Sequence, residues 1–353
     1  MKNILIILGY GELGGAERQA IHLAEGLSSK GYKVSVLNFG SKGRANQLLD
    51  EKGIRNKNII LSFAPGRTGL LKDLAKLYFT ILRSRAAAII PFTRDPNVYT
   101  NALKLLLPFT RIFWNQRDAG IGLSNTRLER FAIKRSRYII SNSIAGKDFL
   151  EKNYSIQPGR IAIIVNGVRL PEENSSTTVF NVGMIANLHA HKDFETLLKG
   201  WHLFKKNDVD PAAKLFIAGR NDGLLPQLTS LVTELGITDS VIFAGQQNNI
   251  DAFIKTLYAG VHSSRQEGCS NAILEMMSHG IPVVANKIPG NIGVLGDEYE
   301  LYFPTGDAEK LADVLLDLYK SPGKANSIGK ANRAEITKKF SVDAMVLHYQ
   351  KLL

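Results

Sequence analysis

Short, almost continuous apolar runs alternate with helix-length amphipathic stretches along the whole chain. In the first half the runs are residues 4–8, 34–39, 59–61, 87–92, 112–114, 138–141 and 161–165, with helical patterns at 16–30, 68–83 and 127–135. In the second half they are residues 179–185, 213–218, 241–244, 259–263 and 282–286. A strand that is apolar on both faces must be covered on both, so the pattern predicts parallel sheets flanked by helices. The polar stretch 170–178, LPEENSSTT, separates two complete patterns and reads as an interdomain linker. At 353 residues the chain also exceeds what one core usually serves. The expected organisation is two α/β domains, 1–170 and 171–339. A last amphipathic helix over 340–353, marked by Val342, Met345, Val346, Tyr349 and Leu352, is expected to pack back on the first domain.

Charge is unevenly shared between the halves. Residues 1–170 carry 27 Lys and Arg against 11 Asp and Glu, and the remainder is slightly acidic. A basic half predicts an anionic partner, nucleic acid or an acidic membrane surface, with a generally basic protein as the alternative account. The single cysteine, Cys269, excludes an internal disulfide framework and a multi-cysteine metal site. No run approaches the ~20 continuous apolar residues that cross a bilayer. The apolar start leads into a glycine-rich loop, as a first buried strand does. The chain reads as cytoplasmic.

In open α/β sheets ligands bind beyond the carboxyl ends of the strands, and that rule selects the loops to search. After the first strand comes Gly9, Gly11, Gly14 and Gly15, a glycine-rich turn into a helix that would let backbone N–H groups meet an anion. It satisfies a dinucleotide-type spacing, but Asn38, Phe39 and Gly40 stand where a dehydrogenase wants an acidic residue at the end of strand two. After the strand at 111–114 come Arg117 and Asp118, an anion clamp or a surface ion pair. After the strand at 179–185 come Asn187, His189, His191 and Lys192 at a helix start, suited to a diphosphate. The two histidines lack the spacing and partners of a zinc site. After the strand at 259–263 come Glu267, Gly268, Cys269, Ser270 and Asn271, with Glu275 one turn into a helix. There a carboxylate is placed to accept sugar hydroxyl hydrogen bonds, beside a second anion cradle. An Asp208-Val209-Asp210 triplet precedes a strand, at the wrong sheet edge for a ligand, and reads as a solvated turn.

Glu267 and Glu275, followed by residues 276–285 (MMSHGIPVVA), resemble the signature of the retaining GT-B glycosyltransferases of family 4. Gly14-Gly15-Ala16-Glu17, Ser141-Asn142-Ser143, Asn166-Gly167-Val168 and Lys192-Asp193 add to the likeness, in order, over nearly the whole chain. The resemblance implies two Rossmann-like domains with parallel sheets facing across a cleft, the first for the acceptor and the second for the donor. It implies transfer, with retention, from a UDP- or GDP-sugar to a glycan or lipid-linked glycan, without metal or cofactor. Glu275 would bind the ribose hydroxyls and Glu267 the transferred sugar. Lys192 would neutralise the diphosphate, helped by N–H groups at Cys269, Ser270, Asn271 and around Gly15. Gly14, Asn187, Arg220 and Gly268 complete the implied donor site.

Two departures stand out. Met184 occupies the place of a family arginine, for which Arg220 is a candidate substitute, and Arg117 and Asp118 occupy the place of a family histidine, so that either takes over its sugar contact or activity is altered. A nucleotide-sugar epimerase and a catalytically silent nucleotide-sugar sensor are the alternatives. Nucleic acid is not the expected partner, because the basic residues are not interleaved with stacking aromatics. The basic half would instead dock on an anionic membrane face, with Arg127, Arg130, Lys134, Arg135 and Arg137 offering one basic stretch.

Overall fold

Where the chain is continuously apolar it is extended and paired in parallel. The computed structural model describes residues 2–61, 67–172 and 177–353. It divides into one unit of residues 1–167 with 342–353 and a second of residues 168–341.

The first unit runs β1 (Asn3–Leu8), α1 (Gly15–Ser29), β2 (Lys33–Phe39), α2 (Arg44–Glu51), β3 (Arg55–Ile59), α3 (Arg67–Ser84), β4 (Ala88–Pro91) and α4 (Arg94–Ala102). After a 3-10 turn (Lys104–Leu106) follow β5 (Arg111–Gln116), α5 (Arg127–Arg135), β6 (Tyr138–Ser141), α6 (Ile144–Tyr154) and β7 (Ile161–Ile163). The strands form one sheet in the order β3-β2-β1-β4-β5-β6-β7, all parallel. Side chains of β1 alternate between two buried clusters. Ile4, Ile6 and Leu8 pack with Leu23 and Leu27 of α1, whereas Leu5 and Ile7 pack with Leu77 and Ile81 of α3.

The second unit runs β8 (Asn181–Ile185), α7 (Phe194–Lys205), β9 (Lys214–Ala218), α8 (Leu225–Glu234), β10 (Val241–Gly245), α9 (Ile250–Ile254) and β11 (Ala259–His262). It continues through α10 (Asn271–Ser278), β12 (Val283–Asn286), α11 (Pro289–Leu295), β13 (Tyr302–Phe303), α12 (Ala308–Lys320) and α13 (Pro322–Lys339). Its parallel sheet has the order β10-β9-β8-β11-β12-β13. Val182 and Met184 of β8 pack with Trp201 and Phe204 of α7 and Leu311 and Leu315 of α12. Met184 is thus a core side chain in this sheet, and an arginine there would be buried among apolar groups. In each sheet the order reverses beside the first strand, at β1 and at β8, which opens a crevice between loops that diverge.

The last helix, α14 (Val342–Leu352), belongs to the first unit. Met345, Val346 and Tyr349 enter the α1 cluster. Of the expected linker at 170–178, residues 173–176 lie outside the described residues. The chain leaves the first unit before that stretch. The Val168 N–H donates to the Phe340 carbonyl at 2.8 Å, so the outgoing segment is already paired with the returning one. The strand expected at 59–61 lies at Arg55–Ile59, paired in parallel with β2; its residues before Ile59 are exposed or half-buried, so no apolar run marks it, and Asn46 of α2 donates to Asn56 and Asn58 at 2.8 and 2.7 Å. The short polar helices α2 and α4, and the two-residue β13, give no apolar run and are absent from the sequence pattern.

Docking of α14 depends on Gly26, where an added Cβ would stand 2.3 Å from Val346 Cγ2. We expect Gly26→Ala to destabilise the first unit by about 1–3 kcal/mol through overpacking. Val346→Ala, costly alone, should cost less in that background. Strict additivity of the two in thermal unfolding would mean that α1 and α14 do not meet there.

Candidate active site

At the switch point of the second sheet, the loops that leave β8, β9 and β11 are stitched to one another by backbone hydrogen bonds. Leu188 N–H donates to the Arg220 carbonyl at 2.8 Å, Asp193 N–H to Ser263 at 3.1 Å and Arg265 N–H to His191 at 2.9 Å. Asn286, at the end of β12, clamps the same place. Its Oδ1 accepts from Ser264 N–H at 3.0 Å and its Nδ2 donates to the Ser264 carbonyl at 2.6 Å. Each of these loops carries polar backbone that must be paired once buried, and they pair it with one another. A rigid floor results, from which side chains can be aimed.

Glu267 and Lys192 are brought together on that floor as an ion pair, with side chains only 14% and 12% exposed. His262, the last residue of β11 and wholly buried, places Nε2 3.1 Å from the same Glu267 oxygen, Oε1. Burial alone would raise the carboxyl pKa. The Lys192 ammonium and the His262 donor overcome that and hold it well below the usual carboxylate range. Burial, followed by the Lys192 charge, pushes His262 below the ordinary imidazole range. A neutral His262 therefore donates its Nε2–H to Glu267, which leaves Nδ1 as a buried atom without a partner. Gly290 of α11 lies directly behind this loop, where a Cβ would meet the Glu267 carbonyl oxygen at 2.4 Å.

Just beyond Glu267, Ser270 caps α10 by accepting from Ile273 N–H at 3.4 Å. Gly268, Cys269 and Ser270 are buried there, and Asn271 opens the helix, so its positive end faces the Glu267 loop. Glu275 sits half-buried one turn in, its backbone carbonyl accepting from Ser278 Oγ and His279 Nδ1 at 2.7 and 2.8 Å. After His279 the helix stops at Gly280, whose φ of +73° is the left-handed conformation of a helix end.

Other residues singled out in the sequence are engaged elsewhere. Asn187 Oδ1 accepts from the Arg220 N–H at 3.1 Å, fastening the β8 and β9 loops together. The exposed Arg220 guanidinium is paired with Asp222 at 2.7 Å. His189 and His191 face each other, Nδ1 to Nδ1, at 2.9 Å. Asp208 and Asp210 are exposed in the turn before β9, away from these loops.

In the first unit, Gly14 caps α1 and its N–H is taken by the Glu17 carboxylate at 3.2 Å, with Gly15 opening the helix. Arg117 bonds to Asn166 Oδ1 and to the Tyr349 hydroxyl at 3.4 Å, and lies over the Phe92 ring at 5.1 Å. Asp118 accepts from Gln116 Nε2 and Gly120 N–H, each at 2.7 Å. Burial raises the Asp118 pKa against those bonds. Arg117 and Asp118 thus each serve a local network, rather than pairing with each other.

His262 and Asn286 escape the sequence reading because each ends a run that is otherwise apolar. A lone histidine closing a strand immediately before the glutamate loop is the signal that would have found His262. Among the described residues no three His, Cys, Asp or Glu side chains are grouped to hold a metal ion.

The chain matches the family described as glycosyl transferases group 1 over residues 170–335, and that described as glycosyltransferase family 4 over residues 13–171. It is 26% identical to an uncharacterised glycosyltransferase of Haemophilus influenzae over 82% of both chains. It is 23% identical to the lipopolysaccharide core biosynthesis glycosyltransferase LpsE of Rhizobium meliloti, covering 98% of this chain and 97% of that one. In structure it is similar to Anabaena HepE solved with UDP and glucose, with a TM-score of 0.87 and 20% identity over 99% of this chain and 98% of that one. These two parallel-sheet domains are therefore those of the GT-B fold.

Removing Lys192 would leave Glu267 buried with His262 alone. We expect Lys192→Met to cost about 3 kcal/mol at neutral pH. A carboxylate with a depressed folded pKa contributes stability above its unfolded value, and that contribution is lost as pH falls through the folded one. The cost of the substitution should therefore shrink as pH falls, starting above the ordinary carboxylate range, because burial without the Lys192 charge raises the Glu267 pKa in the variant. Urea unfolding of both proteins at pH 7 and pH 4 checks this, and a constant difference would refute the pairing.

Proposed function

Since the chain belongs to the group 1 glycosyltransferases of the GT-B fold, we propose that it transfers a sugar, with retention, from a UDP- or GDP-linked donor to a glycan or lipid-linked glycan. The observation that carries this reading is the buried, ionised Glu267 held by Lys192 and His262 at the switch point, beside the positive end of α10. The product belongs to a cell-surface polysaccharide. Support comes from the lipopolysaccharide core enzyme that the chain resembles over nearly its full length. The uridine nucleotide and glucose named for HepE make UDP-glucose the first donor to try.

In this reading the second unit takes the donor and the first the acceptor. Glu275 accepts the ribose hydroxyls, and Glu267 accepts a hydroxyl of the transferred sugar. Lys192 has three N–H donors, so it can keep Glu267 and still take a diphosphate oxygen. The N–H groups of Gly268, Cys269, Ser270 and Asn271 add to the same charge. Leaving-group stabilisation then needs neither metal nor cofactor, and catalysis rests on positioning and fixed electrostatics. The acceptor is presented at the cytoplasmic face of an anionic membrane.

Transfer is tested with UDP- and GDP-sugars and membrane-derived acceptors, in buffer with and without a chelator, with the product anomer read by NMR. We expect Glu267→Gln to lower kcat about a hundredfold with donor affinity within a few-fold. Glu275→Gln should weaken donor binding about tenfold, the loss of hydrogen bonds to a charged acceptor. Full activity in both variants, an inverted anomer or abolition by chelator would each overturn its part of the reading. Donor binding without transfer would favour a sensor.

A further inference from the structure

The first unit bares large apolar side chains at the edge of its sheet where β4 and β5 begin. Phe109 is 97% exposed, Leu105 62% and Leu106 59%, all in the segment before β5. Phe79 and Leu82, on the last turns of α3 leading into β4, are exposed as well. The two segments are joined: Arg111 N–H donates to the Ala87 carbonyl at 2.9 Å and Thr110 Oγ1 to that of Ala86 at 3.4 Å. Their inward faces share one core, in which Leu77 and Ile81 of α3 meet Leu103 and Leu107. Lys104 Nζ fastens the loop by donating to the carbonyls of Leu107 and Thr110 at 3.3 and 2.8 Å. The apolar tips thus project from an anchored base, and such a patch marks a surface that meets something.

Charge says what it meets. Beneath the tips is an open cavity of about 380 Å³ whose lining includes the cations Lys104, Arg111 and Arg137 beside Leu105, Phe109 and Tyr138, and no acidic side chain. Arg111 and Arg137 both approach the Tyr138 ring, at 5.9 and 5.8 Å. Burial, and then the Arg137 charge, lower the Lys104 pKa, so these cations feel one another. Arg111 and Lys2 share the Leu353 carbonyl oxygen at 2.6 Å each. Arg83 and Arg85 are exposed at the same end of α3. Cations ringing exposed apolar tips fit a headgroup layer, where the tips enter the acyl boundary and the cations take phosphates.

We propose that this edge docks on an anionic phospholipid bilayer, with Leu105, Leu106 and Phe109 inserted and Arg111 and Arg137 on lipid phosphates. The surface differs from the α5 stretch favoured by sequence. There the exposed aromatic Phe131 is covered by the Arg135 guanidinium, 4.4 Å from the ring centroid. The inference takes from the proposed function only the presence of a membrane; the surface itself lies where strands begin, away from the loops that leave them. Binding is measured without donor or acceptor, so its failure would leave sugar transfer standing.

The test is co-sedimentation with vesicles of phosphatidylcholine alone or mixed with phosphatidylglycerol, at low and high salt. The protein should prefer the anionic vesicles and lose that preference at high salt. Leu106→Ser with Phe109→Ser should lower binding at least about tenfold, from the apolar area no longer buried, with thermal unfolding unchanged because both side chains are exposed. Arg137→Glu should remove the anionic preference. Absence of wild-type binding at low salt, equal binding to both vesicles, or full binding by the serine variant would each overturn the proposal. So would a larger loss from Arg130→Gln with Lys134→Gln on α5 than from the serine variant.

Discussion

Parallel pairing governs this molecule, because a parallel pair cannot be closed by a tight turn. Each strand of both sheets must be followed by a crossover, and its helix covers one face of the sheet. Both faces are therefore buried, which is why β1 sends Leu5 and Ile7 to one cluster and Ile4, Ile6 and Leu8 to another. The same rule collects every loop that leaves a strand at one edge. At β8 the neighbours on either side, β9 and β11, come from crossovers of opposite sense, and the loops that part there carry Lys192 and Glu267.

Electrostatics at that point are set by burial. A carboxylate in a protein interior is costly unless paired, and Glu267 is paired twice on one oxygen. Neutral His262 contributes direction and little charge, while Lys192 contributes charge and still has donors to offer. A site so arranged is ready for an anion near Lys192 without a rearrangement of the loops beneath it, which Asn286 and the backbone bonds hold. The first unit uses its own buried polar groups differently. Arg117, Asn115, Asn166 and Tyr349 tie α14 to the end of β5, so an arginine that looks available in sequence is engaged in holding a helix.

Much of the candidate site was legible because it follows strands whose ends could be read. Glu267, Glu275 and Lys192 each stand in or just past such a loop. Ser270 was legible as the start of α10, since a serine followed by an apolar helix is a capping pattern. Packing adds what the sequence could not say of Met184 and Arg220. Periodicity says that position 184 is in a strand, but only packing shows that it lies against Trp201 and Phe204, and only geometry shows Arg220 turned to Asp222.

By itself the sequence determined the class of fold: two parallel α/β domains, with the positions of most strands and the loops that can hold chemistry. These follow from local periodicity and from turn and cap residues, which act over a few neighbours. Tertiary structure alone decided which polar groups spend their capacity on one another. The hydroxyl beside Arg117 comes from Tyr349, 232 residues away, and the second donor to Glu267 comes from a histidine hidden in an apolar strand. Whether a charged side chain is left for a ligand depends on such partners, and they are set by how strands and helices are stacked, which no local pattern records.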